Sequence, residues 1–228
     1  GIVMRKNSFI HNRGFASYGI LFQDCHNMVA DSNIVADNVV GMFFEASTNN
    51  RFRHNVIARN DVALNMFANS TENIFTENNF VDNLSPLSVV GKATGSQWNE
   101  GGRGNFWSSY DGYDLDQDGI GDVPMKIQNA FNYLEGQQPN LRLYLYSPAS
   151  QALAAATSAF PILDINREAD SYPLMKPVDL RLLVVKKSSA PESDSPFSGR
   201  KAGFIGVTLI GTWVISSAFR KKRGQRRA

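Results

Sequence analysis

The sequence contains few of the residues on which redox chemistry and covalent catalysis depend. Only one of its 228 residues is cysteine, Cys25, and only three are histidine. A single cysteine excludes an internal disulfide and does not indicate a redox compartment. The sequence also has no glycine-rich phosphate loop and no nucleophile motif. These absences argue against nucleotide-binding and nucleophilic enzymes that carry the known signatures.

Acidic residues are missing from the end of the chain. Residues 200–228 carry eight Lys and Arg side chains and no Asp or Glu, although the net charge of the whole sequence is only +2. The preceding 199 residues therefore have a net charge of −6. A mildly acidic body with a basic tail is not typical of a nucleic-acid-binding protein.

An initiating methionine and a signal peptide are also missing, and the chain begins at Gly1 inside a repeat. We interpret the sequence as a fragment whose N-terminal coils are missing. On this interpretation the lack of a leader says nothing about localisation.

What the sequence does contain is a repeat over residues 7–83. Three segments align at steps of 22 and 24 residues: Asn33–Asn38, Asn55–Asn60 and Asn79–Asn83. A second row has steps of 22 residues: Gly19–Phe22, Gly41–Phe44 and Ala63–Met66. A third row begins at Asn27, Asn50 and Asn73, and a longer first coil begins at Asn7, with about four extra residues near 13–17. A period of roughly 20 to 50 residues indicates a stacked array.

Each repeat contains three short apolar runs, rich in Ile, Val and Phe and bounded by Asn, Asp, Gly or Ser, which predict strands. Asn suits the corners because it tolerates the left-handed backbone conformation and can pair with the Asn of the next coil. We therefore predict an all-β fold, a right-handed parallel β-helix with about 22 residues per coil. The predicted stacks in its core are Ile20, Met42 and Leu64, and Phe22, Phe44 and Met66. The leucine-rich repeat is the rival at this period, but its consensus is missing.

The remaining chain divides by composition. After the coils (1–90) we predict a C-terminal cap (91–187) with an Asp-rich loop and a short helix near 151–160, a flexible linker (188–201), a transmembrane anchor (202–219) and a basic tail (220–228). The anchor has 18 uncharged residues, the lower limit for a membrane span. Basic residues after it place the tail in the cytoplasm and the coils outside the membrane. A buried or interfacial helix is the alternative.

The densest chemical signal is the Asp-rich loop. Asp114, Asp116 and Asp118 alternate, Gly119 allows a sharp turn, the Ile120 carbonyl is a further candidate ligand, and Asp122 closes the loop. This spacing is typical of a calcium loop. A full EF-hand would need an acid where Met125 stands, so the pattern is partial. An acidic turn without an ion is the alternative.

Two further candidate sites are weaker. Cys25, His26 and Met28 are softer ligands that suit copper, but strand alternation would put His26 and Met28 on the opposite face from Cys25. Phe106, Trp107, Tyr110 and Tyr113 form an aromatic cluster after the coils. We interpret it as a partner-binding surface, a hydrophobic lid over the open end of the β-helix, or both.

Residues 106–124, which follow the Asn-rich coils, resemble the NosD family of periplasmic β-helix proteins. Residues 144–153, 159–163 and 170–175 look like the branch that serves maturation of nitrous oxide reductase in denitrification. The resemblance covers roughly residues 1–180.

This resemblance implies a non-enzymatic accessory protein that docks on an ABC transporter, a cytoplasmic ATPase with a membrane permease. It would help to build the copper centres of nitrous oxide reductase. A copper-carrying lipoprotein chaperone and the reductase would be its periplasmic partners. Copper binding is implied by the family only.

The alternative function is a carbohydrate-modifying, lyase- or epimerase-like β-helix outside the cytoplasm. Catalysis on such a fold would need convergent carboxylates, but the acids of the coils do not recur in register: Asp24, Asp31, Asp37, Glu45 and Asp61.

Overall fold

The computed structural model describes residues 1–14, 17–91, 93–128, 134, 138–144, 147–149, 151–152, 156 and 168–179. These residues belong to one compact unit, Gly1–Ser188. The fold is all-β, a parallel solenoid of about four coils with about 23 residues per coil. It confirms the predicted all-β parallel solenoid.

Each coil contributes three short strands. The strands are, in chain order, β1 Val3–Arg5, β2 Ser8–Ile10 and β3 Tyr18–Gln23; β4 Val29–Asp31, β5 Ile34–Ala36 and β6 Val40–Glu45; β7 Arg51–Arg53, β8 Val56–Ala58 and β9 Val62–Phe67; β10 Ile74–Thr76, β11 Asn79–Val81 and β12 Ser85–Val90. Beyond them lie β13 Phe106–Trp107, β14 Met125–Lys126, a 3-10 helix Pro139–Tyr144 and β15 Ala169–Asp170.

The strands stack into three parallel sheets that form the walls of the solenoid. Sheet A has the order β1-β4-β7-β10, sheet B the order β2-β5-β8-β11-β13, and sheet C the order β3-β6-β9-β12. Ile20, Met42 and Leu64 pair in register, as predicted. Val3 pairs with Val29, 26 residues on, because the first coil carries the extra residues noted in the sequence.

The interior is a set of side-chain columns that run along the solenoid. On the sheet A side, the Phe52 and Phe75 rings stack with centroids 4.7 Å apart, and Trp98 stacks on Phe75 at 4.8 Å. On the sheet B side, Trp107 stacks on Phe80 at 4.1 Å. Because like side chains repeat in register, each coil adds a layer to one continuous apolar core.

Asparagines stack at the corners in ladders. At the corner between sheets A and B, Asn33 N donates to Asn55 Oδ1 at 2.9 Å, and Asn55 N donates to Asn78 Oδ1 at 3.0 Å. The residues just before these asparagines, Ser32, His54 and Glu77, have positive φ. The side-chain amides thus satisfy the backbone N–H groups that a tight corner removes from the sheets.

Two details of the predicted alignment were wrong by one residue. Asn55 is followed in its ladder by Asn78, not by Asn79, which lies in β11. Met28, not Asn27, is equivalent to Asn50, because Met28 N donates to Asn50 Oδ1 at 3.0 Å. The hydrogen bonds of the ladders, and not the positions of asparagine in the sequence, therefore set the register at these corners.

The solenoid also continues beyond the predicted boundary at residue 90. Gln97 N donates to Asn73 O at 2.8 Å, and β13 pairs with β11. Residues 97–107 therefore add a partial fifth coil rather than a separate capping loop, and Trp98 and Trp107 close the core.

Parts of the predicted C-terminal region fall outside the description. Residues 151–152 and 156, within the predicted short helix, are helical. The predicted linker 188–201, anchor 202–219 and basic tail 220–228 lie outside the described residues. Within the part of the chain that is described, no helix is both long and apolar enough to cross a membrane.

Candidate functional site

The acidic loop, residues 113–122, is folded by hydrogen bonds between its own carboxylates and backbone. Asp114 Oδ2 accepts from Gly119 N at 2.9 Å, and Asp118 Oδ1 accepts from Ile120 N at 2.7 Å. Asp122 Oδ2 accepts from Leu115 N at 2.7 Å, so this side chain closes the loop from the other end. Gly119, with a φ of 87°, provides the turn that the sequence predicted.

Three of the predicted ligands come together. One oxygen each from Asp114, Asp116 and Asp118 lies within 4.8 Å of the others. Asp122 is not part of this group. The N–H of Asp118 donates to Asp116 and favours its charged form. Repulsion from Asp118, partial loss of solvent, a close contact with the Asp114 carboxylate and repulsion from Asp122 together outweigh this and raise the pKa of Asp116. The loop thus concentrates negative charge that a cation would neutralise.

The loop is joined to a second segment, the strap (residues 173–179). Gly121 N donates to Pro173 O at 2.8 Å, and Met175 N donates to Gly119 O at 3.0 Å. Leu174 forms an antiparallel bridge with Ile120 and a parallel bridge with Phe106. The strap therefore adds a row to the end of sheet B, and the acidic loop is the outermost row.

Two buried carboxylates just before the strap close the end of the solenoid; we call Glu168 and Asp170 the plug residues. Glu168 accepts hydrogen bonds from Thr94 N at 2.7 Å and Trp98 Nε1 at 2.8 Å. Asp170 accepts from Asn105 N at 2.7 Å and Trp107 Nε1 at 3.0 Å. Burial raises the pKa of Asp170. Both indole N–H groups at the end of the core are thus satisfied by carboxylates.

Sequence reasoning missed the plug residues. Their partners lie 63 to 74 residues earlier in the chain, and no local pattern predicts such pairings. One hint was Gly104, because a Cβ there would collide with the Asp170 carboxylate. Only glycine allows the plug to approach the fifth coil this closely.

A cleft of about 750 Å³ separates the acidic loop and strap from the wall of the solenoid. His54, Glu77 and Arg103 line it on the wall side, and Asp114, Asp118 and Met175–Asp179 line the other. On the wall, Arg103 Nε donates to Glu77 Oε1 at 2.8 Å, and the His54 ring lies 3.2 Å from Glu77 and 3.3 Å from Asp31. The wall charges are therefore already paired with one another.

The four predicted aromatic residues do not form one surface. Trp107 is only 2% exposed and belongs to the core, so its assignment to a partner surface was wrong: the end of the solenoid needs a large apolar side chain there. Phe106 and Tyr110 are half-buried, and the Tyr110 hydroxyl donates to Val123 O at 2.6 Å. Tyr113 is 56% exposed. The lid interpretation applies to Trp107, and the surface interpretation is open only for the other three.

Comparison with known proteins places this solenoid in a family. Residues 1–112 match the family model described as "Periplasmic copper-binding protein (NosD)". The chain belongs to the NosD family. It is 31% identical over 157 residues to the "Probable ABC transporter binding protein NosD" of Stutzerimonas stutzeri. This alignment covers 69% of this chain and 36% of the relative. It is 33% identical over 135 residues to the protein of the same name from Pseudomonas aeruginosa strain PAO1, covering 59% of this chain and 31% of the relative.

The chain thus spans about a third of the length of the curated NosD relatives it matches. The family is described as periplasmic and copper-binding. These statements describe the family, of which this chain represents only part of the length.

The copper candidates of the sequence lie on different sides of the coil wall. Met28 is buried in the core, and Cys25 is half-buried and packs against it. His26 is exposed, with Nδ1 2.9 Å from Thr48 Oγ1. A copper role for these residues stays a prediction, and their arrangement does not resemble a shared ligand set.

Proposed function

We propose that this chain is part of a non-enzymatic periplasmic protein that assists assembly of the copper centres of nitrous oxide reductase. It would act with an ABC transporter, made of an ATPase and a permease, and with a copper-carrying lipoprotein chaperone. The observation that carries this proposal is the match of residues 1–112 to the NosD family, whose relatives are named as ABC transporter binding proteins. An anchor over residues 202–219 stays a prediction.

A scaffolding role fits the physical character of the solenoid. Its core is continuous through the stacked coils, and its corners are fixed by side-chain amides rather than by mobile loops. Solenoids of this kind offer extended, preorganised surfaces, which lower the entropy cost of binding a partner. Such a surface suits a protein that holds other components in position.

The carboxylates of the coils support a structural rather than a catalytic interpretation. The Arg59 guanidinium donates two hydrogen bonds to the Asp37 carboxylate, at 2.9 and 2.8 Å, and Arg13 Nη1 lies 2.9 Å from Asp61 Oδ1. Asp31 is shared by Arg5, Arg53 and His54. Each pair links different coils, so these charges brace the stack.

The described residues do not fit copper well. Among them, the one group of three or more Cys, His, Asp or Glu ligand atoms close enough to share an ion consists of carboxylates only. Copper prefers nitrogen and sulfur ligands, whereas oxygen clusters suit hard cations. We therefore propose that the chaperone and the reductase, rather than the described residues of this chain, hold the copper in this pathway.

The exposed part of the aromatic cluster is the proposed docking point. Tyr113 is 56% exposed and lies on the acidic loop at the end of the solenoid. Tyrosine is enriched at the centres of protein interfaces because it buries a large area with little loss of side-chain entropy. Phe106 and Tyr110 would form the half-buried base of this surface.

The proposal is tested by complementation. A strain that lacks the gene is complemented with the full-length protein, and the copper content of its nitrous oxide reductase is measured. We expect copper to be lost in the deletion and restored by the wild type. Tyr113→Ala should lower restoration and pull-down of the permease. Tyr144→Ala, at a tyrosine 58% exposed, should leave both unchanged. A reductase fully loaded with copper in the deletion strain would refute the proposed function.

A further inference from the structure

We propose that the end of the solenoid presents a docking surface for a basic segment of a partner protein, in which Lys or Arg side chains surround an apolar centre. We call this surface the end patch. The inference rests on the proposed function for the existence of a partner, and it assigns the chemistry of the partner's surface. The apolar centre and acidic rim of the end patch are six exposed residues: Tyr113, Leu115 and Val123, and Asp111, Asp116 and Asp122.

The apolar centre of the end patch is exposed although its backbone is fixed by hydrogen bonds. Leu115 is 77% exposed and Val123 is 37% exposed. Leu115 N donates to Asp122 Oδ2 at 2.7 Å, and Asp122 N donates to Tyr113 O at 2.8 Å. Because Val123 follows Asp122, these bonds hold all three apolar residues on one short stretch of paired backbone. Neighbouring apolar side chains that stay exposed on an ordered segment indicate an interaction site.

Tyr110 supports the backbone that carries the end patch. Its hydroxyl donates to Val123 O at 2.6 Å. A Cβ on Gly112 or on Gly121 would collide with the Tyr110 side chain, so this side chain packs directly against the backbone at both positions. A surface that is fixed before binding loses little conformational entropy when a partner docks.

The charge around the apolar centre has one sign. Residues 104–125 contain five Asp and no Lys, Arg or His, which gives this segment a net charge of −5. Asp114 and Asp118 line the cleft together with Arg103 and Lys176. The three rim acids are exposed and do not line the cleft. The end patch therefore combines apolar side chains with negative charge that the bases of the cleft do not face.

This combination selects a protein partner with a basic surface. The acidic rim would repel anionic lipid headgroups and the phosphates of nucleic acids. A second copy of the chain, docked patch to patch, would bring two acidic rims together. Complementary interfaces place charges of opposite sign against each other. Lys and Arg fit this rim because their aliphatic stems pack on apolar residues while their charged ends pair with carboxylates.

The occupant is identified by photo-crosslinking in the strain used for complementation. The full-length protein carries the substitution Leu115→p-benzoylphenylalanine. The matched control carries Leu84→p-benzoylphenylalanine, at an exposed leucine of the coils. We expect position 115, and not position 84, to crosslink to a protein segment that has more Lys and Arg than Asp and Glu. A crosslink from position 115 to lipid, to a second copy or to an acidic segment would overturn the proposal, and so would the absence of a crosslink.

The contributions of the centre and the rim are measured by surface plasmon resonance, with a synthetic peptide of the crosslinked segment passed over the immobilised full chain. Leu115→Ser should weaken binding at least about tenfold, mainly through faster dissociation, because it removes the apolar centre. The double variant Asp111→Asn, Asp116→Asn lowers the net charge of residues 104–125 from −5 to −3. It should slow association at least about threefold at low salt and change nothing at about 1 M NaCl, where charges are screened.

Leu84→Ser and Asp24→Asn, at an exposed leucine and an exposed acid of the coils, are the matched controls and should bind like the wild type. If the end-patch variants bound as tightly as these controls, the end patch would not be the docking surface.

The docking surface and the proposed function can fail separately. The copper content of nitrous oxide reductase tests the function, whereas the crosslink and the binding rates test the surface. A crosslink to a basic segment of a protein that copper loading does not require would support the surface and contradict the function. Loss of copper in the deletion strain, together with equal binding by patch and control variants, would do the reverse.

Discussion

Asp170 lies where the next asparagine of the corner ladder above Asn105 would lie. Asn105 donates to Asp170 Oδ2 from its backbone N at 2.7 Å and from Nδ2 at 3.2 Å. In the same way, Asn78 donates from both nitrogens to Asn105 Oδ1 at 3.1 and 2.9 Å. The ladder ends here, so its last member needs acceptors only. A carboxylate provides them, with Trp107 Nε1 and Tyr172 N as further donors.

The first prediction concerns this terminal carboxylate. Asp170→Ala leaves buried donors of Asn105 and Trp107 without acceptors, and each such loss costs about 1–3 kcal/mol. We expect a loss of about 3 kcal/mol or more in the free energy of unfolding, measured by urea denaturation. Asp170→Asn keeps the carbonyl oxygen for the ladder and presents an amide only to Tyr172 N, so its loss should be about 1 kcal/mol. Equal losses in the two variants would contradict the ladder interpretation.

The same substitution changes the pH dependence of stability. Burial raises the pKa of Asp170 in the folded state, so its contribution is fully present below the unfolded value and declines as the pH rises through the folded pKa. In Asp170→Asn this decline should disappear. The free energies of unfolding of the wild type and of Asp170→Asn, measured between pH 3 and 7, check this.

The second prediction concerns the indole that closes the sheet B column. Trp107→Ala removes a fully enclosed side chain and its stacking on Phe80, and comparable substitutions cost about 3–5 kcal/mol. Trp107→Phe keeps the ring stack but loses the hydrogen bond to Asp170, so we expect a loss of about 1–2 kcal/mol. Chemical denaturation checks both values. If the two variants were equally stable, stacking on Phe80 would not be what holds the end of the core.

The parts of the fold that repeat were accessible from the sequence, and the parts that do not repeat were not. The stack of Ile20, Met42 and Leu64 was predictable because each coil repeats the same chemistry at the same spacing. The doublet Asn78-Asn79 defeated the alignment because both residues are asparagine, and only the ladder hydrogen bond from Asn55 N to Asn78 Oδ1 decides between them. Where the chain stops repeating, no spacing relates Asp170 to Asn105.

The candidate site was likewise predictable only where its residues lie close together in the sequence. The convergence of Asp114, Asp116 and Asp118 followed from local alternation and a glycine, both of which act within one loop. The cleft beside the loop was not predictable, because it depends on how the strap crosses the end of sheet B. The burial of Trp107 was foreseen only as one of two alternatives, since aromatic residues serve both cores and interfaces.

The third prediction tests the interior of the ladder. Asn55 accepts from Asn33 and donates to Asn78 Oδ1 and to Ala30 O, all within the buried corner. Asn55→Asp replaces the donating amide with an acceptor facing two other oxygens, so we expect a loss of at least about 3 kcal/mol. Asn7→Asp, at the exposed first member of the same ladder, should cost less than about 1 kcal/mol. The difference between the two free energies of unfolding measures the ladder contribution.

The fourth prediction is an acid-dependent loss of stability centred on Asp31. Burial alone would raise the pKa of this carboxyl, but hydrogen bonds from Ser32 and His54 and the charges of Arg53 and Arg5 outweigh it and lower the pKa below its ordinary 3.8. A carboxyl whose pKa is lowered in the folded state contributes stability that is present above the unfolded pKa and is lost as the pH falls through the folded pKa.

Asp31→Asn should therefore be less stable than the wild type at pH 6, and the difference should shrink as the pH falls below 3.8. Denaturation of both proteins along a pH series measures this. Glu72→Gln, at an exposed acid outside this charge cluster, should keep the acid response of the wild type. A constant difference between Asp31→Asn and the wild type across the series would show that the carboxylate charge is not what braces these coils.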